Sequence, residues 1–298
     1  PQPLAPTPSQ VCRRLGGENM CCSVGGSAAV VLTLTRAIEA VLTAMGAHTR
    51  LSDVQLDGCD VLATICQQRV GEGALHGASE PQGRAHAERA ADAGAIEAVA
   101  GAMRAHPGSV DVQGLGCRAL GRLGGCQSHQ LAGGRAAALA RCRRATDAGA
   151  FDLVVAAMKG HRSDTLEASV VQGYGCFALA ILCGGYTDAA VEADRGPGHL
   201  PGRAVGAGAL KVVVAAMRAH PQVGKVQRWG AFALCGMCRG GFDVQARRDL
   251  AIQEGAQTVA NGPIAIHESG HQPSRTEWAN ASEHGRALLA CLLPRARC

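Results

Sequence analysis

Gly208–Cys238 reads GALKVVVAAMRAHPQVGKVQRWGAFALCGMC, and the spacing of its apolar residues decides the fold. Leu210, Val213, Val214 and Met217 fall at i, i+3, i+4 and i+7, one apolar face of a helix that ends at His220-Pro221. Val226, Gly230, Ala233, Leu234 and Met237 form the stripe of a second helix. The register recurs. The first helix returns as Ile38/Val41/Leu42/Met45, Ile96/Val99/Ala100/Met103 and Phe151/Val154/Val155/Met158, and its partner as Val54/Gly58/Val61/Leu62/Ile65, Val112/Gly116/Ala119/Leu120/Leu123 and Val171/Gly175/Ala178/Leu179/Leu182. Methionine to methionine the offsets are 58, 55 and 59 residues, so a constant core is joined by variable connections.

A fifth, decayed copy occupies Glu254–Leu293. It keeps Gly285, Leu289 and Leu292 in register, and Asn261-Gly262-Pro263 is expected to break its middle. A short polar helix precedes the apolar pair in RAHAERAADAG, GGRAAALARCRRATDAG and DVQARRDLAIQEG, so each unit reads as three-helical, with glycine as a left-handed stop. Before the fourth unit the stretch holding Pro197 and Pro201 is expected to be a loop. The Gly/Pro/Ser-bearing segment from Cys66 to Arg84 reads as a connection, residues 1–26 as a disordered lead-in and residues 294–298 as a tail. The units are expected at about 27–66, 84–124, 134–183, 203–239 and 244–293. The chain opens on Pro1 without an initiating Met, which suggests a fragment or a processed product, and the first unit shows no clear leading helix.

Composition agrees with stacked thin layers. The chain of 298 residues is 47% hydrophobic but only 3% aromatic, so its interior must be built from small aliphatic side chains and cysteine. A solenoid grows by adding neighbours, whereas one core of this length is near its limit. No run of eighteen uncharged apolar residues exists, and Ala28–Met45, which holds Arg36 and Glu39, reads as repeat helix and not as a membrane span.

The fourteen cysteines follow the register. Cys59, Cys117 and Cys176 share the slot four residues after the recurring Gln, and Cys66, Cys183 and Cys238 share another. Cys235-Gly-Met-Cys238 looks like a redox or zinc half-site, yet Cys235 stands where other units have Ala63, Gly121 and Ala180. These are packing residues, and reduced thiols point to an intracellular, cytoplasmic protein, the nucleus being the other compartment this allows. His48, His106, His161 and His220 each lie three residues after the slot methionine, and are expected to cap the end of that helix. A shared metal is excluded by the spacing of about 10 Å between packed helices. The glycines at 58, 116, 175 and 230 read as close helix contacts.

Units of the type AGAIxxVVxAMRxHPxxxxVQxxGCxALxxL resemble armadillo repeats, in a form similar to the armadillo region of leucine-rich-repeat kinases and of related algal and protist proteins. The likeness covers about Ala37–Leu293 and is most specific over Gly94–Leu123, Gly149–Leu182 and Gly208–Met237. It implies an all-α, right-handed armadillo-like α-solenoid whose third helices line a concave groove for proteins or extended peptides. Armadillo proteins that clamp basic peptides carry Trp and Asn five and nine residues after the position of the Gln. Here those slots hold Asp60, Arg118, Phe177 and Phe232, and Thr64, Arg122, Ile181 and Gly236, so the resemblance does not extend to nuclear-import signals.

A gradient takes the place of that ladder. Four of the eight aromatic residues lie on this strip, Tyr174 and Phe177 in the third unit and Trp229 and Phe232 in the fourth, each pair at i, i+3; the earlier equivalents are Asp57/Asp60 and Leu115/Arg118. Tyr174, Phe177, Trp229 and Phe232, with Arg118 and Arg122, are the candidate partner-binding residues. For Phe177 and Phe232 the competing reading is that they fill gaps between units. No catalytic constellation, cofactor motif or metal set is legible. The net charge is +5, and its densest part, Arg135, Arg141, Arg143 and Arg144, reads as a solvated face. The expected function is a non-catalytic protein-interaction scaffold, in the manner of a regulatory region of a larger signalling protein. The alternative is a helical-repeat RNA-binding protein, marked by affinity that falls steeply with salt.

Overall fold

The computed structural model describes residues 28–67, 81–125, 132–163, 165–183, 199–241, 243–269 and 275–293. The expected lead-in and tail lie outside them, as do the greater parts of the connections after Cys66 and before the fourth unit. The described residues form fourteen α-helices and no strand. The first pair is α1 (Ala28–Ala47) and α2 (Ser52–Ile65). Four triplets follow: α3 (Pro81–Asp92), α4 (Ala95–Ala105), α5 (Val110–Gly124); α6 (Ala132–Asp147), α7 (Ala150–Gly160), α8 (Leu166–Leu182); α9 (Leu200–Gly206), α10 (Ala209–Ala219), α11 (Gly224–Met237); and α12 (Val244–Glu254), α13 (Ala256–Ser269), α14 (Arg275–Leu292).

Successive units stack as layers. The third helices α2, α5, α8, α11 and α14 pack each on the next, and the second helices α1, α4, α7, α10 and α13 do the same beside them. The core is one continuous cluster from Ile38 to Leu292, filled mostly by Ala, Val, Leu, Met and Cys. No single helix among the described residues is long and apolar enough to cross a membrane.

The recurring Met, His, Gln and Gly turn out to be one joint. A Cβ on Gly58, Gly116, Gly175 or Gly230 would lie 2.5–2.6 Å from Cγ of Met45, Met103, Met158 or Met217, so each glycine is the hollow into which the buried methionine of the same unit lies. Three residues before each glycine a buried Gln donates from Nε2 to two carbonyls at the end of the second helix. Gln113 reaches Met103 O at 2.8 Å and His106 O at 2.9 Å, and Gln227 reaches Met217 O at 2.8 Å and His220 O at 3.0 Å. Gln55 and Gln172 repeat the pattern. The glutamine thus caps carbonyls that the helix leaves unmet. The expected histidine cap is therefore corrected at His106 and His161. His106 Nε2 and His161 Nε2 turn away from their own helix ends and face Thr49 O (2.8 Å) and Pro107 O (3.2 Å), main-chain oxygens of the preceding unit.

Units are also tied by their first helices. His86 faces Ile65 O at 3.3 Å, Arg141 donates to Leu123 O (2.8 Å) and Gly125 O (3.2 Å), and Arg247 donates to Met237 O and Gly240 O. Each covers the C-terminal end of the third helix before it. Arg141 and Arg247 are buried, so the basic run around Arg141 is not uniformly a solvated face: Arg141 is spent on helix capping, and Arg144 pairs with Glu97 at 2.6 Å. The joint between first and second helices uses a left-handed glycine, Gly94, Gly149, Gly208 and Gly255, with φ between 85° and 98°, as expected. Arg104 and Arg218 reach forward from the second helix to the carbonyls of Ala148 and Glu254 that precede the next unit's glycine.

Three local expectations fail, each at a proline. Pro81, placed in a connection, opens α3, and Pro201, placed in a loop, lies in the first turn of α9, where its missing N–H costs nothing. Pro263 was expected to break the fifth unit, yet α13 runs through Asn261-Gly262-Pro263. Val259, Ala260 and Pro263 are buried there, and Gly285 of α14 comes so close that a Cβ would lie 2.6 Å from Ala260 O. Burial against α14 outweighs the one lost hydrogen bond.

Candidate binding strip on the third helices

The third-helix row carries two files of side chains that cross from unit to unit. The first starts at Asp60 on α2. Arg118 on α5 donates from Nη1 to Asp60 Oδ1 at 2.6 Å and from Nη2 to Gln67 at 3.2 Å, and its guanidinium lies 6.0 Å from the Tyr174 ring centre on α8. Lys225 Nζ on α11 sits 4.5 Å from the centre of the same Tyr174 ring. The second file begins with Arg122, 5.1 Å over Phe177. It continues through Trp229, whose ring centre is 4.8 Å from Phe177 and 6.1 Å from Phe232, and ends on α14, where His284 lies 4.8 Å from Phe232. Arg228 adds a cation 4.7 Å from Trp229.

Glycines on the facing helix let these residues approach. A Cβ on Gly121 would meet the Phe177 ring at 2.5 Å, and one on Gly173 would meet the Lys225 stem at 3.1 Å. Cation–aromatic contacts of this kind contribute about 0.5–1 kcal/mol when exposed and more as water is removed, and edge-on aromatic pairs about 0.5–1.5 kcal/mol. The files therefore stiffen the row and at the same time hold ring faces and guanidinium groups in fixed order.

Burial separates the six expected residues. Phe177 and Phe232 are 4% and 6% exposed and fill the seams between units. Tyr174, Trp229, Arg118 and Arg122 are half-buried. All six are brought into the two files. Lys225, Arg228 and His284 join them and were not picked out from the sequence. Lys225 and Arg228 flank Val226-Gln227 and could have been found by extending that pair by one position each way, whereas His284 sits in the decayed fifth copy.

The strip read from the sequence as running from charged to aromatic has its acidic end on α2. Asp53, Asp57 and Asp60 share α2, and burial followed by repulsion from Asp53 and Asp60 raises the Asp57 carboxyl above its usual range. The cations of the strip are Arg118 and Arg122 on α5 and Lys225 and Arg228 on α11. Burial, then the neighbouring Arg118, lowers the Arg122 guanidinium from its ordinary value, and the Nε atoms of Arg122 and Arg228 are enclosed without a hydrogen-bond acceptor. His284 is pushed down to about 4, first by burial and then by Arg228 and Arg239. The strip offers stacking surfaces, ammonium and guanidinium donors and an acidic end. Among the described residues no three His, Cys, Asp or Glu side chains are grouped to hold a metal.

The nine cysteines among the described residues are free thiols, eight of them buried. Burial pushes Cys59, Cys66, Cys176 and Cys238 up to about 12. No protein-family model, no curated protein and no solved structure matches this chain.

Proposed function

We propose that the chain is an armadillo-like, right-handed superhelix that works without chemistry of its own, as a scaffold binding an extended protein segment along its row of third helices. The observation that carries this reading is the pair Tyr174 and Trp229. Both are half-buried, both contact neighbouring rings or cations, and they lie on adjacent helices of one strip. Rigid, amphipathic aromatics backed by Arg are the residues that concentrate binding energy at protein interfaces. The charge order adds direction: a partner would lay basic groups over Asp53 and Asp57, and acidic or aromatic groups beside Arg122, Lys225 and Arg228. The row repeats at the spacing of packed helices, about 10 Å, which an extended chain spans in about three residues.

The Lys225–Tyr174 and Arg228–Trp229 contacts favour one second reading, single-stranded RNA bound by stacking and charge. Peptides selected from a random display library on the full chain separate the two. The scaffold reading expects selected peptides to lose at least about tenfold in affinity with the Tyr174→Ala/Trp229→Ala double variant, equivalent to about 1.4 kcal/mol. It also expects their affinity to change little between about 50 and 200 mM salt, where a contact set of several phosphates loses orders of magnitude. Unchanged peptide affinity in the double variant overturns the proposal, and tight, steeply salt-dependent binding of a uridine oligonucleotide would favour RNA instead.

A further inference from the structure

Cys235 and Cys291 face each other across the last third-helix seam. Cys235 lies on α11 and Cys291 on α14, and their sulfurs are 3.6 Å apart. Arg239 donates from Nε to Cys291 Sγ at 3.5 Å. The sequence shows Cys235 and Cys238 at Cys-x-x-Cys spacing, and the repeat register reads both as packing residues. The structure instead opposes Cys235 to a residue 56 positions on, nine residues after Ser282, which takes the Gln slot of the fifth unit.

From this geometry we propose that Cys235 and Cys291 form a peroxide-oxidisable dithiol that closes to a disulfide between α11 and α14. Cys291 is the attacking sulfur. It is half-buried while the other eight described cysteines are buried, and it accepts a hydrogen bond from the Arg239 guanidinium. Cys235 at 3.6 Å, the guanidinium of Arg239 and the nearby charge of Arg248 hold its thiol well below the usual range, while the hydrogen bond with Cys291 and then burial push Cys235 up. One thiolate beside one protonated thiol is the pairing that thiol oxidation requires.

The chemistry balances in two steps. The Cys291 thiolate attacks a peroxide oxygen; the S–O bond forms, the O–O bond breaks, and the leaving hydroxide or alkoxide takes a proton. Sulfur loses two electrons and the peroxide gains them, which leaves a sulfenic acid at Cys291. Cys235 then attacks that sulfur; the S–S bond forms, the S–O bond breaks, and the thiol proton of Cys235 departs with the hydroxide as water. Closing the 3.6 Å gap to bond length needs a shift of only about 1.5 Å, since a disulfide measures about 2.05 Å. A small dithiol reverses it by exchange. The bond ties the fourth unit to the fifth beside the Phe232–His284 contact, so oxidation staples the end of the row, and this holds whatever the strip binds.

The test uses the full chain with one equivalent of hydrogen peroxide, alkylation of remaining thiols and mass-spectrometric mapping. The expected product is a Cys235–Cys291 crosslinked peptide that dithiothreitol removes. Cys291→Ser must abolish the crosslink, and Cys235→Ser must leave a sulfenic acid trapped by dimedone at Cys291. Oxidation spread evenly over the cysteines, or a crosslink from Cys235 to Cys238, overturns the proposal. The wild-type map decides by itself if either variant fails to fold.

Discussion

Met217 lies across Gly230 so closely that its Cγ would stand 2.6 Å from a Cβ at that position. The contact joins the second and third helices of one unit, and its three counterparts show that the unit is built around a methionine pressed onto bare backbone. Gly230→Ala is expected to cost about 1–3 kcal/mol by overpacking. Met217→Ala alone leaves a cavity and costs about 2–5 kcal/mol. The double variant should cost clearly less than the sum of the two, because the smaller residue at 217 makes room for the methyl at 230. Urea unfolding followed by Trp229 and Trp278 fluorescence checks this, and strict additivity would contradict the joint.

Gln227 is 2% exposed and serves two carbonyls. Gln227→Leu takes the amide donor from both, and since His220 O keeps the Val223 N–H at 3.2 Å, the expected cost is that of the unmet Met217 carbonyl, about 1–3 kcal/mol. Gln227→Glu should be worse at neutral pH, where a carboxylate faces two carbonyl oxygens, and should recover as acid returns a proton to it. Unfolding curves of both variants across pH read this directly.

His284 gives the fold a defined acid sensitivity. Its folded value of about 4 lies below the ordinary 6.5, so the unfolded chain binds the proton more tightly. Stability from this group is complete above pH 6.5 and declines as pH falls from 6.5 towards 4. At 1.36 kcal/mol per pH unit the loss approaches about 3 kcal/mol. His284→Phe keeps a ring against Phe232 but does not titrate, so the variant should gain on the wild type by about that amount over this window. Parallel pH–stability curves would show that His284 is not the group responsible.

The repeat and its helices were legible because helical packing demands apolar residues at fixed spacing, and Leu210, Val213, Val214 and Met217 satisfy it plainly. The passage from charged to aromatic residues was legible for the same reason, since Asp57, Arg118, Tyr174 and Trp229 ride on that register. What a single helix face does not encode is which polar atom reaches which carbonyl. His220 and Gln227 both stood near the end of α10, and only the three-dimensional path of the chain puts the amide of Gln227 on the two carbonyls. Prolines misled because their effect depends on position: Pro201 sits in a first turn, and Pro263 is carried by burial against α14. The Cys235–Cys291 pair was hidden because the fifth unit has Ser282 and no Gln to anchor its register.

The chain has two tryptophans, and they divide the question of function cleanly: Trp229 lies on the strip, half-buried, while Trp278 is 2% exposed in the core. Fluorine NMR of 5-fluorotryptophan-labelled protein, titrated with a display-selected peptide and assigned with Trp229→Phe, tests the strip most directly. The account predicts that the Trp229 resonance moves to saturation while Trp278 stays still. A bound peptide that leaves the Trp229 resonance unmoved would contradict it.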